Sequence, residues 1–472
     1  MAAKGTSPLI HPKGHGLSKG HLLRIVGVGF GIAVSIGGTV ASGILRTPGE
    51  VASHLQRPWL ILALWAFGGV YAFFATLCVS ELATTLPREG GWYVYAREAF
   101  GEYPGFLVGC CDWMMETVAI AYVAVAFGEF AAGLQPVLAP HIKLVAVGCV
   151  VVLTLLNALG LRAGSRAQEI TTLVKSFALI AFVAACFLIS PKSSANQSVL
   201  PASALSFSHG SILLALVIAL QAIIVTYDGW YCAIYFMEED KDPARNLPRS
   251  AIGGVLACIA IYLLVNAALL HALPMAQLSA SQVPAADAAT AIFGSHGGQI
   301  ILIISLLTVV SCINAILMIT PRILFAMSRD GLFPWWLTSV NSGGTPAPAL
   351  FVGALVVIAL ILSGTFDALI AIASFMFVSV YISGFVALFR LRVKRPELAR
   401  PFKVWGYPWT VVGVLLVSVS FLIGSIVGDL IHSLFTLILV AASYPVYLLA
   451  VKNRAARGSA AEIPRLSQAE AE

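Results

Sequence analysis

Apolar stretches of about twenty residues, the length a helix needs to cross a bilayer core of about 30 Å, recur along the whole chain from residue 24 to residue 451. In lipid no water satisfies backbone N–H and C=O groups, so a chain crossing this often does so as helices that bond internally. Composition leaves no soluble alternative. Of the 472 residues 59% are hydrophobic and 11% charged, whereas soluble domains carry about 25% charged residues. The fold class read from this pattern is an all-α integral membrane protein. Apolar windows between polar breaks predict twelve spans, near 24–54, 58–84, 104–131, 142–161, 167–190, 210–238, 249–272, 297–328, 347–363, 368–391, 409–428 and 432–451. The first, sixth and eighth exceed a simple crossing, which calls for tilt, a break or an extension beyond the lipid.

The charges orient the spans. Residues 1–23 are polar, carry Lys4, Lys13 and Lys19, and run straight into a full-length span without a cleavable signal, which reads as a cytoplasmic tail. With that end inside, only Arg46, Arg57, Lys143 and Lys192 of the 28 Lys and Arg fall in outer segments, and Lys175 falls within a span. The rest collect on the cytoplasmic side, as positive-inside bias requires. Both termini are therefore expected in the cytoplasm, in the plasma membrane, or the inner membrane of a bacterium. These loops account for the net charge of +6, so no nucleic-acid partner is expected and anionic lipid headgroups are the natural counter-charge. The eight Cys are scattered without a CxxC or zinc spacing, and no metal or cofactor is expected. No His-Glu-x-x-His metalloenzyme motif and no nucleotide-binding Gly-x-x-x-x-Gly-Lys loop is present. The chain reads as no enzyme.

Two spans contain residues that a simple lipid-facing helix does not use. The first reads Ser35-Ile36-Gly37-Gly38-Thr39-Val40-Ala41-Ser42-Gly43-Ile44, then Pro48-Gly49. Each Gly lowers helix propensity by about 1 kcal/mol relative to Ala. Small residues also serve close helix packing, so this span alone leaves packing and a break equally open. The sixth reads Val225-Thr226-Tyr227-Asp228-Gly229-Trp230 within an apolar run. An Asp at helix centre costs roughly 2.5–3.5 kcal/mol on insertion scales and marks a functional position. These spans head two five-helix halves, and matched interrupted spans point to a transporter site between inverted repeats. A half-helix N-terminus offers N–H groups to an anion, and freed carbonyls accept from an ammonium. An amino acid has both ends.

Several ordered motifs over residues 24–451 resemble the amino acid–polyamine–organocation family, similar to bacterial L-type amino acid permeases. They are Ala41-Ser42-Gly43-Ile44 with Pro48-Gly49; Glu81 with Pro87-Arg88-Glu89-Gly90-Gly91; Asn157 and Gly160 with Gln168, Thr171 and Lys175; Tyr227-Asp228-Gly229-Trp230 with Glu238-Glu239 and Asn246-Leu247-Pro248-Arg249; Arg322 with Ser328-Arg329-Asp330-Gly331; and Arg400-Pro401-Phe402 with Gly406-Tyr407-Pro408. The resemblance implies a LeuT-type fold of ten core helices with broken helices one and six and two extra C-terminal helices. Its expected divisions are a tail at 1–23, a core at 24–391 with repeats 24–190 and 210–391, helices eleven and twelve with their preceding loop at 392–451, and a tail at 452–472. It implies that backbone amides of Ala41, Ser42 and Gly43 bind a substrate carboxylate. Carbonyls of Ser35–Gly38 and of Val225, Thr226 and Tyr227 would bind the ammonium, with Asp228 and Trp230 beside them. Ala41 stands where the family has Gly, and Val225 where many relatives have an aromatic lid, so occlusion falls to Trp230, Tyr227 or another residue.

Lys175, about 12 Å into a helix starting near Ala167 at 1.5 Å per residue, either snorkels to the interface or, as the resemblance implies, replaces a sodium ion with its ammonium. The second reading predicts sodium-independent exchange or proton-linked transport. Asp112 and Glu116 share a helix face four residues apart, and read as a wet position near the cytoplasmic entrance rather than a cation or proton site. Glu81, Glu238 and Glu239 are expected to pair with Arg88, Arg245 or Arg329 as an inner gate. Asn314 supplies an amide to the site or joins helices, and Arg46 guards the outer mouth or snorkels. The expected function is secondary transport of neutral L-amino acids by alternating access. The alternative is a cationic amino acid or polyamine carrier or antiporter with Asp228 holding a side-chain amine. Residues 132–143 contain no Cys, so no disulfide-linked heavy subunit is expected; the partners are substrate and bilayer, and the state a monomer or weak homodimer.

Overall fold

The computed structural model describes residues 21–189, 209–364, 366–428, 437–438, 440–452 and 454, with residues 209–213, 366–374 and 428 described in backbone only. The tail at 1–20, the chain beyond 454, Lys192 and the start of the twelfth predicted span lie outside them. The described chain is all-α, and its single β contact is an isolated bridge between Val26 and Asp240. In chain order the helices are α1 (Val28–Thr39), α2 (Gly43–Leu55), α3 (Pro58–Thr85), α4 (Trp92–Phe100), α5 (Glu102–Leu134), α6 (Ile142–Ala158), α7 (Leu161–Leu188) and α8 (His209–Thr226). They continue as α9 (Pro243–Ala272), α10 (Met275–Ala280), α11 (Pro284–Phe293), α12 (Gly297–Arg329), α13 (Ala347–Ser363), α14 (Phe366–Lys394) and α15 (Trp409–Gly428), and end in α16 (Val440–Lys452).

Among the described residues eight helices are long and apolar enough to cross a membrane, nine when the bent pair α1–α2 counts as one span. Leu214–Thr226, α13 and α16 are shorter apolar helices. Each falls on a segment read from the sequence as a span. Two starts move. The fifth helix begins at Leu161 rather than Ala167, because the real stop is Gly160, whose φ of +126° and whose contact with the Gly343 backbone admit no side chain. The seventh begins at Pro243 rather than residue 249, with Pro in its first turn, where the missing N–H costs no hydrogen bond. The short helices α4, α10 and α11 were not anticipated.

Both interruptions are present. Val40 is extended (φ −81°, ψ 95°), and the axis bends by 46° between α1 and α2. After α8 the chain leaves the α-helix at Thr226, turns through Gly229 and resumes as a 3₁₀ turn, Cys232–Phe236. Gly229 has a φ of +101°, and a Cβ there would lie 2.6 Å from the Gly38 carbonyl carbon and 2.8 Å from Thr39 N. The two breaks therefore touch backbone to backbone, and only Gly permits it. Around this crossing α1 packs on α7, α9 and α12, and α12 packs along α5.

Candidate functional site

The crossing opens onto a cavity of about 540 Å³ whose wall includes Gly38, Thr39, Ala41 and Gly43 from the first interruption and Val225, Thr226, Asp228 and Gly229 from the second. One end of the wall is the start of α2. Its capping residue, Ser42, makes no side-chain cap hydrogen bond. A helix leaves its first N–H groups without intrahelical partners and carries partial positive charge there. Ala41 and Gly43 stand at this helix start on the cavity wall, with Ser42 buried between them.

The opposing carbonyl end of α1 is already engaged. Lys175 has no exposed surface, and its Nζ donates to Gly37 O at 3.0 Å and Val40 O at 2.7 Å. With α7 starting at Leu161, Lys175 lies about 21 Å along it, at mid-membrane depth. It does not snorkel; it places a positive charge at the negative end of the α1 dipole. Tyr262 of α9 spans both breaks, its hydroxyl lying 2.7 Å from Thr39 O and 2.8 Å from Thr226 O. The Val225 carbonyl accepts from Asp228 N at 3.2 Å. Among the described residues Gly38 O, from a residue of the cavity wall, meets only the weak Cys312 thiol donor at 3.5 Å.

The remaining expected residues separate. Ser35 turns away and donates to Gly31 O. Tyr227 donates to Trp65 O and packs against the Trp65 and Tyr262 rings, so it does not cover the cavity. Trp230 lies beneath, edge-on to Trp92 and Tyr231 and against Tyr381. This aromatic layer lies between the cavity and the Val26–Asp240 bridge. Val225 faces the cavity and is 38% exposed.

Three carboxylates border this layer. Asp228 accepts from Tyr381, Glu116 from Tyr231 at 2.9 Å, and Asp112 from Tyr235 at 2.7 Å. Asp112 and Glu116 are both buried, because Tyr231 and Tyr235, around the 3₁₀ turn after α8, cover that face of α5, although Glu116 also borders the cavity. None of the three takes part in an ion pair among the described residues. Sequence reasoning missed Tyr231, Tyr262 and Tyr381; a hydroxyl within an apolar run was their one signal. Asn314 joins helices: it accepts from Asn157 at 2.8 Å and donates to Gln168 at 2.8 Å. Arg46 pairs with Glu129 at 3.4 Å and lies over the Phe130 ring. Among the described residues no group of three His, Cys, Asp or Glu stands close enough to hold a metal ion.

Ion pairs lie beyond the aromatic layer. Glu238 receives both Arg329 nitrogens at 2.8 and 2.7 Å, and Arg322, 2% exposed, clamps Glu239 with two bonds of 2.8 Å. Glu81 pairs with Arg392 at 2.7 and 2.5 Å, and not with Arg88, because α14 and the loop after it, through Val404 N, fold over the end of α3. Arg88 reaches Asp330 instead, at 3.1 Å.

A helical membrane protein whose two broken helices meet at a central cavity is a small-solute transporter by architecture. The family model described as amino acid permease matches residues 22–447, and the chain belongs to that family, within the amino acid–polyamine–organocation superfamily. It is a multi-pass transporter and not an enzyme. The chain is 29% identical to the serine/threonine exchanger SteT of Bacillus subtilis over 94% of its own length and all of the relative's. It is 27% identical to the mouse b(0,+)-type amino acid transporter 1, covering 86% of this chain and 84% of that one. Mouse Asc-type amino acid transporter 1 is 29% identical over 81% of this chain and 73% of its own.

Proposed function

We propose that this amino acid transporter moves neutral L-amino acids without sodium, by alternating access across twelve spans with both termini in the cytoplasm. The observation that carries the reading is Lys175, whose fixed ammonium occupies the carbonyls at the end of α1. A bound cation has no further role there. The substrate carboxylate binds the N–H groups of Ala41, Ser42 and Gly43, and its ammonium binds at Gly38 O and the α8 end. Both contacts are backbone, so they read the amino acid itself and leave the side chain to the cavity wall. The SteT relative, named as a serine/threonine exchanger, supports a neutral substrate and exchange. Glu81, Glu238 and Arg329 form the inner gate, and the cell membrane, the inner one in a bacterium, is the site. Inverted repeats at 24–190 and 210–391 supply the two halves, and the protein works without a disulfide-linked subunit, as a monomer or weak homodimer.

A second reading rests on Glu116 and Asp228, both on the cavity wall and neither facing a basic side chain among the described residues. Two such acids suit a cationic amino acid or polyamine. The test is counterflow of labelled amino acids into proteoliposomes, in sodium or in choline, with and without internal amino acid. Equal uptake in choline that requires internal amino acid supports sodium-free exchange; stimulation by sodium overturns it. Strong competition by arginine or putrescine would replace the neutral substrate with the cationic one.

A further inference from the structure

The ion pairs beyond the aromatic layer leave one acid over. Glu89, in the segment between α3 and α4, has no exposed surface. It exchanges bonds with the segment after the 3₁₀ turn: Glu89 N donates to Glu238 Oε1 at 3.0 Å and Glu238 N donates to Glu89 Oε1 at 3.1 Å. The groups facing it are Glu238 and Glu239 on that segment, Arg322 and Arg329 on α12, and Tyr95 on α4. Both guanidiniums are taken, Arg322 by Glu239 and Arg329 by Glu238. Independently of that charge count, Glu89 Oε2 has no hydrogen-bond partner among the described residues.

We propose that Glu89 is a proton-binding site of the closed inner gate: it takes a proton from cytoplasmic water as the two segments close and returns it when they part. An ionised carboxylate buried without a counter-cation is far costlier than a neutral one. Burial, and after it the Glu239 charge, hold the Glu89 carboxyl well above its usual range. When the segments separate, water reaches Glu89 and the proton leaves. The gate thus opens more readily as internal pH rises. The proposal rests on the reading that this face is the inner gate, and the variants separate the two claims.

The experiment is exchange of a labelled amino acid by proteoliposomes of fixed orientation, with internal pH stepped from 5 to 8 at constant external pH. The expected wild-type rate rises with internal pH, approaching tenfold per unit where gate opening limits, the slope of one proton. Glu89→Gln, neutral at every pH, is expected to exchange with a slope below about twofold over the range. Glu238→Gln, which breaks the Arg329 pair, is expected to raise inner-side labelling of Cys232, on the cavity wall. A Glu89→Gln slope equal to wild type overturns the proton site. Unchanged labelling in Glu238→Gln overturns the gate. Should Glu89→Gln fail to insert, Glu89→Asp, which keeps the acid, must retain the slope, and its loss counts against the proposal.

Discussion

At the scale of single residues, the proposed function rests on Lys175 and the cavity acids. A hydrogen bond to a charged group contributes about 1.5–3 kcal/mol, and Lys175 makes two of them to backbone carbonyls. Lys175→Met keeps the length of the side chain and loses both. It is expected to lower exchange at least about a hundredfold, as two such bonds imply, with membrane insertion retained; uptake normalised to protein in the membrane checks this. Glu116→Gln and Asp228→Asn decide between the two substrate readings. Under the neutral reading serine competition changes by less than about tenfold, or 1.4 kcal/mol. Under the cationic one arginine competition is lost. Lys175 was visible in the sequence as a cation within a span, and the resemblance implied its role, but its depth was not legible. A start at Ala167 put it near the interface, and only Gly160, with a φ of +126° against Gly343, moves it to mid-membrane.

At the scale of elements, the broken helices were legible because Gly pairs and an Asp in an apolar run contradict a plain span. Their mutual contact was not, since nothing local pairs Gly38 with Gly229. Gly229→Ala tests that contact. A non-Gly residue held at this φ is strained by about 1–3 kcal/mol, and its Cβ would meet the Gly38 backbone at 2.6 Å. Transport is expected to fall below detection while α3, α5 and α9 still insert, giving near-normal yield and a lowered melting temperature in detergent. The tyrosine cover over Asp112 and Glu116 was illegible for a different reason. The 3₁₀ turn after the sixth break rotates Tyr231 and Tyr235 onto α5, where a continuous α-helix would have spaced them differently. The Arg322–Glu239 clamp joins α12 to the same turn. Breaking a buried pair by removing one partner costs about 3–5 kcal/mol, so Glu239→Gln is expected to reduce thermal stability more than Glu238→Gln, whose partner Arg329 is 32% exposed.

At the scale of the whole molecule, the cavity is sealed on the basic side of the protein by the aromatic layer, with the ion pairs behind it. Glu238 is raised by its burial, but Arg329, the Glu89 N–H and Arg88 together lower it further, so its carboxyl sits below the usual range. Asp330 follows the same pattern, burial being outweighed by Arg88, Tyr93 and Arg97 together. A carboxyl lowered in the folded state stabilises above its free value of about 4 and loses that contribution as pH falls through the lower folded value. The difference in melting temperature between wild type and Glu238→Gln is therefore expected to stay constant from pH 5 to 8 and to shrink below about pH 4. These two latches hold above about pH 4, whereas burial raises both Glu89 and its neighbour Glu239 on the same face, Glu239 to about 7.

The central claim is that a fixed lysine ammonium does the work of a bound sodium ion beside an amino acid held by backbone. Equilibrium binding of a labelled neutral amino acid to purified protein in sodium-free buffer, for wild type and Lys175→Ala, tests it most directly. The account predicts that wild type binds equally with and without sodium and that Lys175→Ala loses binding in sodium-free buffer. Wild-type binding that needs sodium, or Lys175→Ala binding that matches wild type in its absence, would contradict it.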